Sequence, residues 1–369
     1  MEDNIIVSKT DLYDLGLSDQ YIQETAAYGT DLYLARVSAQ HREIYKVITE
    51  NSEIQAEVSG KLSYAASAAA DYPVVGDWVL VDREDDKSGS AIIHVILNRK
   101  SCFERKAAGT GYERQVIAAN IDTVFICMSL NKDYNLRRVE RYLSISWDSG
   151  AVPVIVLTKA DLCGDTETKL AELQSVAFGV DMVVTSSMSA DGYDSIIKYL
   201  QRGKTIAFIG SSGVGKSTLI NKLMGAEVLA TREIREDDSH GRHATTHRQL
   251  LVLPGGGVVI DTPGMREIQI VGADLSKSFA DIEEYAQNCY FRDCRHESEP
   301  KCAVKKAIED GLLLLKRFEN YKKLQNEMVF VERKITMTAA QSEKQKTIGM
   351  MGSLGAQKQV VKNKPQNKR

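Results

Sequence analysis

The chain has 369 residues, more than one ordinary domain holds, so two or three domains are expected. It is 43% hydrophobic and 26% charged with a net charge of −3, which excludes a disordered chain and one that is basic throughout. No run of about 18 apolar residues is present, which excludes a helical membrane span, and the polar start "MEDNIIVSKTDLYDLG" does not read as a secretory signal, so the cytoplasm is the expected compartment.

Residues 1–30 read as a helical or irregular lead-in. Five β-type runs follow between residues 31 and 100: "LYLARVS", "EIYKVIT", "EIQAEVS", "DWVLVD" and "AIIHVIL", separated by polar turns. Five short strands in about 70 residues suit a small closed barrel, with the OB-fold the best match and an SH3-like barrel giving a similar pattern. The basic stretch Asn98–Gln115 lacks clear periodicity and reads as a linker.

The pattern changes within residues 113–272. Apolar runs "DTVFICMSL", "VPVIVLT", "DMVVTSS" and "TIAFIG" alternate with helical segments, and "RQLLVLP" and "GGVVIDT" close the region. Apolar strands alternating with helices predict a parallel sheet covered on both faces. Residues 275–335 turn helical and polar. From Lys344 to Arg369 there are seven Lys or Arg and no acid, so residues 340–369 read as a disordered tail, either solubilising or RNA-seeking.

"GSSGVGKST" at Gly210–Thr218 fits G-x-x-x-x-G-K-[ST] between the strand "TIAFI" and the helix "KSTLINKLM". Gly210, Ser211, Ser212, Gly213, Val214 and Gly215 would curl backbone N–H groups around phosphate oxygens at a helix N-terminus. Lys216 would reach the β- and γ-phosphates, Ser217 would ligate Mg²⁺, and Thr218 would complete the turn. "DTPG" at Asp261–Gly264 follows a buried strand. Asp261 would hold Mg²⁺ and the Gly264 N–H would contact the γ-phosphate. Between these motifs lies "SHGRHATTHRQL", where Thr245 or Thr246 would bring a hydroxyl to Mg²⁺; Thr246 is favoured slightly.

"TKAD", Thr158, Lys159, Ala160 and Asp161, also ends an apolar strand. Asp161 can accept from guanine N1–H and the exocyclic amine, a donor pair adenine lacks. The usual first residue of this motif is Asn; Thr158 keeps a hydroxyl but lacks the amide, so one buttressing contact is expected to weaken. The "VTSS" stretch, Val184–Ser187, would bring a backbone N–H near guanine O6. The guanine loop thus precedes the phosphate loop, which makes the set a circularly permuted GTPase.

"CYFRDCRHESEPKC" spaces Cys289, Cys294, His296 and Cys302 as C-x₄-C-x-H-x₅-C. Three thiolates and an imidazole form a closed, structural tetrahedral zinc site, a staple that a small helical domain needs. Three reduced cysteines without metal are the alternative.

The set resembles the circularly permuted, ribosome-associated GTPases of the RsgA (YjeQ) type. The motifs that carry the resemblance are "PVVGDWV" (Pro73–Val79), "AANID" (Ala118–Asp122), "LRRVERYL" (Leu136–Leu143), the phosphate loop, "GRHATT" (Gly241–Thr246), "DTPG" and the Cys/His cluster. The resemblance implies an N-terminal OB barrel, a central permuted α/β P-loop GTPase domain and a C-terminal, mostly helical zinc domain. It implies Mg²⁺-dependent GTP hydrolysis coupled to late maturation of the small ribosomal subunit, slow unless that subunit is bound. The barrel and the zinc domain would contact rRNA, and the protein would act as a monomer. Ala244 stands where the family has Thr. Met265 follows "DTPG" where many GTPases place a water-orienting Gln, and the resemblance assigns that task to His243, with Lys216 and Thr246 completing the catalytic set. The alternative of a local packing role for His243 stays open, as do two other readings of the chain: an RNA-binding switch with negligible turnover, and a P-loop ATPase or kinase, which "TKAD" opposes. Because the chain leaves the GTPase core just after "DTPG", nucleotide state is expected to reposition the zinc domain on RNA.

Overall fold

The computed structural model describes residues 10–85, 87, 89–106, 114–131, 133–186, 192–229, 248–261 and 274–331. Helix α1 (Asp19–Thr25) lies in the lead-in. Strands β1 (Tyr33–His41), β2 (Ile44–Ile48) and β3 (Glu53–Val58) form a meander. Helix α2 (Gly60–Ala65) then leads to β4 (Trp78–Val81) and β5 (Ala91–Ile96). The order β1-β2-β3-β5-β4 closes through the additional β1–β4 pairing. Only β3 and β5 run parallel within this barrel. One parallel pair, with a helix in the β3–β4 connection, is the OB arrangement, so the SH3-like alternative falls away. Alternation supplies the barrel core: Val37, Val47, Ile54, Ala56, Val79, Val81 and Ile93 point inward.

Part of the stretch read as a linker is strand. Strands β6 (Cys102–Lys106) and β7 (Arg114–Ala119) pair antiparallel, Cys102 opposite Ala119. Charged neighbours hid the signal, because Phe103 is the one large apolar residue of β6, and it is buried.

Next in the chain come β8 (Thr123–Ser129), α3 (Leu136–Asp148), β9 (Val152–Thr158), α4 (Thr166–Gln174), β10 (Asp181–Val184), α5 (Asp194–Ile197), β11 (Thr205–Ile209), α6 (Lys216–Met224), β12 (Gln249–Val252) and β13 (Val258–Asp261). The sheet order is β10-β9-β8-β11-β13-β12, with all pairs parallel except β12–β13. The two faces of this sheet bury separate cores. Phe125, Val154, Val156, Ile206, Phe208 and Val259 face one side with α5 and α6 residues such as Ile196 and Leu219. Val124, Ile126, Ile155, Leu157, Ile209 and Ile260 face the other, with Val139, Tyr142 and Leu143 of α3. The period of two within each strand is that of a sheet covered on both sides.

The C-terminal region contributes α7 (Ala280–Gln287), α8 (Ala303–Glu309) and a further helix, α9, over residues 315–331. Phe279, Ile282, Tyr321 and Leu324 extend the α3-side core into this region. Among the described residues, no helix is long and apolar enough to cross a membrane.

Three polar junctions hold the parts together. Arg36 of β1, 1% exposed, donates to Leu15 O, to Gly76 O at 3.3 Å, to Asn120 O at 3.3 Å and to Thr205 Oγ1 at 2.8 Å. Gly76 must be glycine there: its φ is +94°, and a Cβ would meet Ala119 O at 2.2 Å. Asn120 links Tyr21 Oη (2.9 Å) to Gly76 O (3.0 Å), and Asp122 takes the Thr205 N–H at 2.8 Å. Gly76 belongs to "PVVGDWV" and Asn120 and Asp122 to "AANID", so those motifs serve the barrel–GTPase junction. On the far side, Glu140 of α3 is fully buried and accepts from Arg317 Nη1 (2.7 Å) and Asn320 Nδ2 (2.6 Å) of α9. Arg317 also forks onto Asp281 of α7 with two 2.7 Å bonds. Arg141 and Glu327 add a bidentate pair at 2.7 and 2.6 Å.

Candidate nucleotide site and metal centre

The parallel strands β8, β9, β11 and β13 all end on one edge of the sheet, where open α/β sheets bind ligands. The loop after β11 begins at Gly210, whose φ is +145°; a Cβ there would come within 2.3 Å of Cys127 O on β8. This glycine lets the phosphate loop leave the sheet against its neighbouring strand. Gly215 caps α6, which begins at Lys216. Val214 is buried, whereas Ser212, Gly213 and Thr218 are exposed and Ser211, Gly215 and Ser217 are half-buried. Lys216 Nζ donates to Gly210 O at 2.7 Å and to Ser211 O at 2.6 Å. The ammonium is thus parked on the loop's own carbonyls, within the curl that a phosphate group would fill.

The loop after β9 is bonded to the phosphate loop at two points. Thr158 Oγ1 donates to Val214 O at 2.6 Å, and Lys159 Nζ donates to Gly213 O at 2.7 Å. The hydroxyl that Thr158 keeps thus makes a short hydrogen bond in a buried setting. Lys159 has a left-handed backbone (φ 57°), and the turn Ala160–Leu162 follows. Ala160 N–H donates to Thr185 O at 3.2 Å, which seats the turn on the end of β10. Asp161 is exposed and accepts from Ser186 Oγ at 2.5 Å. Its carboxylate is thereby oriented by the "VTSS" stretch, a partner that the sequence reading did not assign.

Asp261 ends β13. Burial pushes its carboxyl above the usual range, and the nearby Lys216 charge works against that shift. His243, Thr245, Thr246, Gly264 and Met265 lie outside the described residues. One further residue reaches the phosphate loop. Arg138, in the first turn of α3, donates from Nη1 to Ser211 Oγ. Its only sequence signal was membership of "LRRVERYL".

In the C-terminal region, Cys289 and Cys294 follow α7, His296 sits on a left-handed turn (φ 61°), and Cys302 caps α8. Their ligand atoms lie within 4.8 Å of one another. Cys289 Sγ is 3.8 Å from Cys302 Sγ and 3.6 Å from His296 Nδ1, and His296 Nδ1 is 3.3 Å from Cys302 Sγ. Tetrahedral metal–sulfur bonds of about 2.3 Å would set neighbouring sulfurs about 3.8 Å apart, so the four residues can hold a metal ion. Burial, then the Lys322 charge, lowers the His296 pKa and keeps the imidazole in its neutral, ligating form.

A family model described as RsgA GTPase matches residues 96–271. A protein of Lactiplantibacillus plantarum named small ribosomal subunit biogenesis GTPase RsgA 2 is 50% identical over 327 residues, 89% of this chain and 91% of its own. A Methanosarcina acetivorans protein named small ribosomal subunit biogenesis GTPase RsgA is 44% identical over 318 residues, 85% of each chain. Among solved structures, YjeQ from Thermotoga maritima aligns with a TM-score of 0.60 at 26% identity, covering 81% of this chain and 99% of that one. YloQ, a circularly permuted GTPase, aligns with a TM-score of 0.58 at 29% identity, covering 80% and 95%.

Two outcomes are expected from this geometry. Thr158→Ala removes the donor to Val214 O, a loss of about 1 kcal/mol, and should weaken GDP binding roughly fivefold in a fluorescent-nucleotide titration. An unchanged Kd would mean that the hydroxyl does not support the site. Asp261→Asn addresses the raised carboxyl. A carboxyl whose folded pKa is raised favours the neutral form, so its ionisation costs stability as pH rises through that pKa. The Asn variant should therefore melt higher than the parent at pH 7 without nucleotide or Mg²⁺, with the gap narrowing as pH falls, while Mg²⁺-dependent hydrolysis is lost. A lower melting temperature at pH 7 would contradict this account.

Proposed function

This chain belongs to the RsgA GTPase family and is a GTP hydrolase, and on that premise we propose that it acts on the small ribosomal subunit during late maturation. The observation that carries the reading is the pair of bonds, Thr158–Val214 and Lys159–Gly213, that fixes a guanine-type loop against a phosphate-type loop. In this reading Asp161 accepts from guanine N1–H and the exocyclic amine, and Ser186 keeps the carboxylate aimed. Gly210 through Gly215 wrap the phosphates with backbone N–H groups, Lys216 turns from its own loop to the β/γ oxygens, and Thr218 continues the helix that points at them. Ser217 and Asp261, joined by Thr246, hold the magnesium ion. Bound magnesium neutralises charge that develops on the phosphate oxygens. The Gly264 N–H meets the γ-phosphate. His243 accepts a hydrogen bond from the attacking water, since the Met265 thioether has no capacity to orient it.

The Cys289, Cys294, His296 and Cys302 set takes a single structural zinc, which leaves no open coordination position for chemistry. The OB barrel and the zinc region contact rRNA, the protein works as a monomer in the cytoplasm, and GTP or GDP state sets the disposition of the zinc region on the subunit. The division into 31–100, 113–272 and 275–335, with a basic tail over 340–369, is the domain plan of this reading.

Two measurements test it. Multiple-turnover GTP hydrolysis should rise steeply with added small subunits and should fall in His243→Ala; turnover indifferent to the subunit would favour a regulatory switch with negligible catalysis. Elemental analysis should find one zinc per chain, and chelation should lower the melting temperature; metal-free protein of unchanged stability would leave three reduced cysteines as the better account.

A further inference from the structure

Arg138, which lies outside the phosphate and base loops, hydrogen-bonds the Ser211 side chain of the phosphate loop. We propose that Arg138 is a positioning residue for GTP, holding the Ser211 side of the phosphate loop in its phosphate-ready curl. The inference rests on the nucleotide reading given above.

The argument follows the anchors of the loop in order. Gly210 is wedged against Cys127 O. Gly213 O and Val214 O are held by Lys159 and Thr158. From Gly215 onward the loop becomes α6. Between these fixed points stand Ser211 and Ser212. Lys216 Nζ holds Ser211 O at 2.6 Å. That ammonium must leave the carbonyl to reach a phosphate, and the Ser211 stretch then loses an anchor at the moment the curl has to be kept. The bond from Arg138 is to the Ser211 side chain, so it does not compete with Lys216 and persists when Lys216 turns.

Arg138 is itself fixed. Its Nη1 pairs with Asp133 Oδ1 at 2.6 Å, and Asn135 caps the same turn by accepting from Arg138 N–H at 3.1 Å. The second oxygen, Asp133 Oδ2, is buried and has no hydrogen-bond partner among the described residues. Both side chains are partly exposed, and the short bond to Asp133 favours the arginine head beside the loop. A planar guanidinium can meet Asp133 and Ser211 together, whereas an ammonium on a flexible stem is held less firmly.

The test is a nucleotide titration with a double-mutant cycle. Arg138→Ala should weaken GDP and GTP binding about tenfold and raise KM for GTP by a similar factor, with kcat at saturating small subunits within about twofold of the parent. Ser211→Ala should weaken binding about threefold or more, the double variant should bind no more weakly than Arg138→Ala, and Arg138→Lys should recover part of the loss. The nucleotide-free melting temperature of Ser211→Ala should match the parent, which separates positioning from general stability. Parent-like affinity in Arg138→Ala overturns the proposal, as do losses that multiply in the double variant. Should Arg138→Ala fail to fold, Ser211→Ala and Arg138→Lys decide: parent-like affinity in both overturns it. Lys216→Ala is the control. Lost binding there with none lost in Arg138→Ala sinks this proposal alone, whereas retained binding in Lys216→Ala sinks the site reading and the proposal with it.

Discussion

The constraint on which the architecture turns is the buried guanidinium of Arg36. It belongs to the first barrel strand, yet its acceptors come from the lead-in (Leu15), the barrel turn (Gly76), the entry to the GTPase sheet (Asn120) and the strand that carries the phosphate loop (Thr205). Burial lowers its pKa to about 10, so it still carries its charge at neutral pH, and that charge cannot be left without these acceptors. Trp78 covers the guanidinium at 5.4 Å from its ring centroid. A barrel and a parallel sheet that share a charged hub cannot drift apart without leaving a buried cation unsatisfied. The base of β11, and hence the height at which the phosphate loop stands, is referred to the barrel.

At the other end of β11 the same logic works through hydrogen bonds to loop carbonyls and a serine hydroxyl. The phosphate loop has few stabilising contacts of its own and takes its shape from neighbours: β8 through Cys127, the base loop through Thr158 and Lys159, and α3 through Arg138. Circular permutation does not alter this, because the contacts come from strand ends, and from the start of the helix after β8, that the parallel sheet brings to one edge. A chain can visit the strands in a new order and still assemble the same edge.

What was legible from residues alone was what is local. "GSSGVGKST", "TKAD" and "DTPG" each declare a turn after an apolar run, and the cysteine cluster spans few residues, so spacing identified them. The barrel was legible as a count of short strands, and its closure needed the β3–β5 pairing to be seen. Strand β6 was not legible, since Phe103 is its one large apolar residue and its pairing with β7 is what makes it strand. Arg36, Arg138 and Glu140 were invisible as functional choices because their partners lie tens of residues away in sequence. A buried charge looks the same in a sequence as a solvated one. For Thr158, residue type gave the retained hydroxyl, and the geometry gives its acceptor, Val214 O in the neighbouring loop.

The buried carboxylate of Glu140 has a consequence for how the molecule is made. It sits on a helix between β8 and β9, and two of its partners, Arg317 and Asn320, are on α9, about 180 residues later in the chain. Synthesis is vectorial, from the N-terminus onward. While the sheet strands emerge, Glu140 has only its helical neighbour Arg137 to answer its charge. The α3 side of the sheet is therefore completed only by α9, the last of the described helices to be made. Among the described residues, the helix made last thus supplies two of the groups that satisfy a charge buried in the nucleotide domain, and a chain that stops before it leaves Glu140 to Arg137 alone.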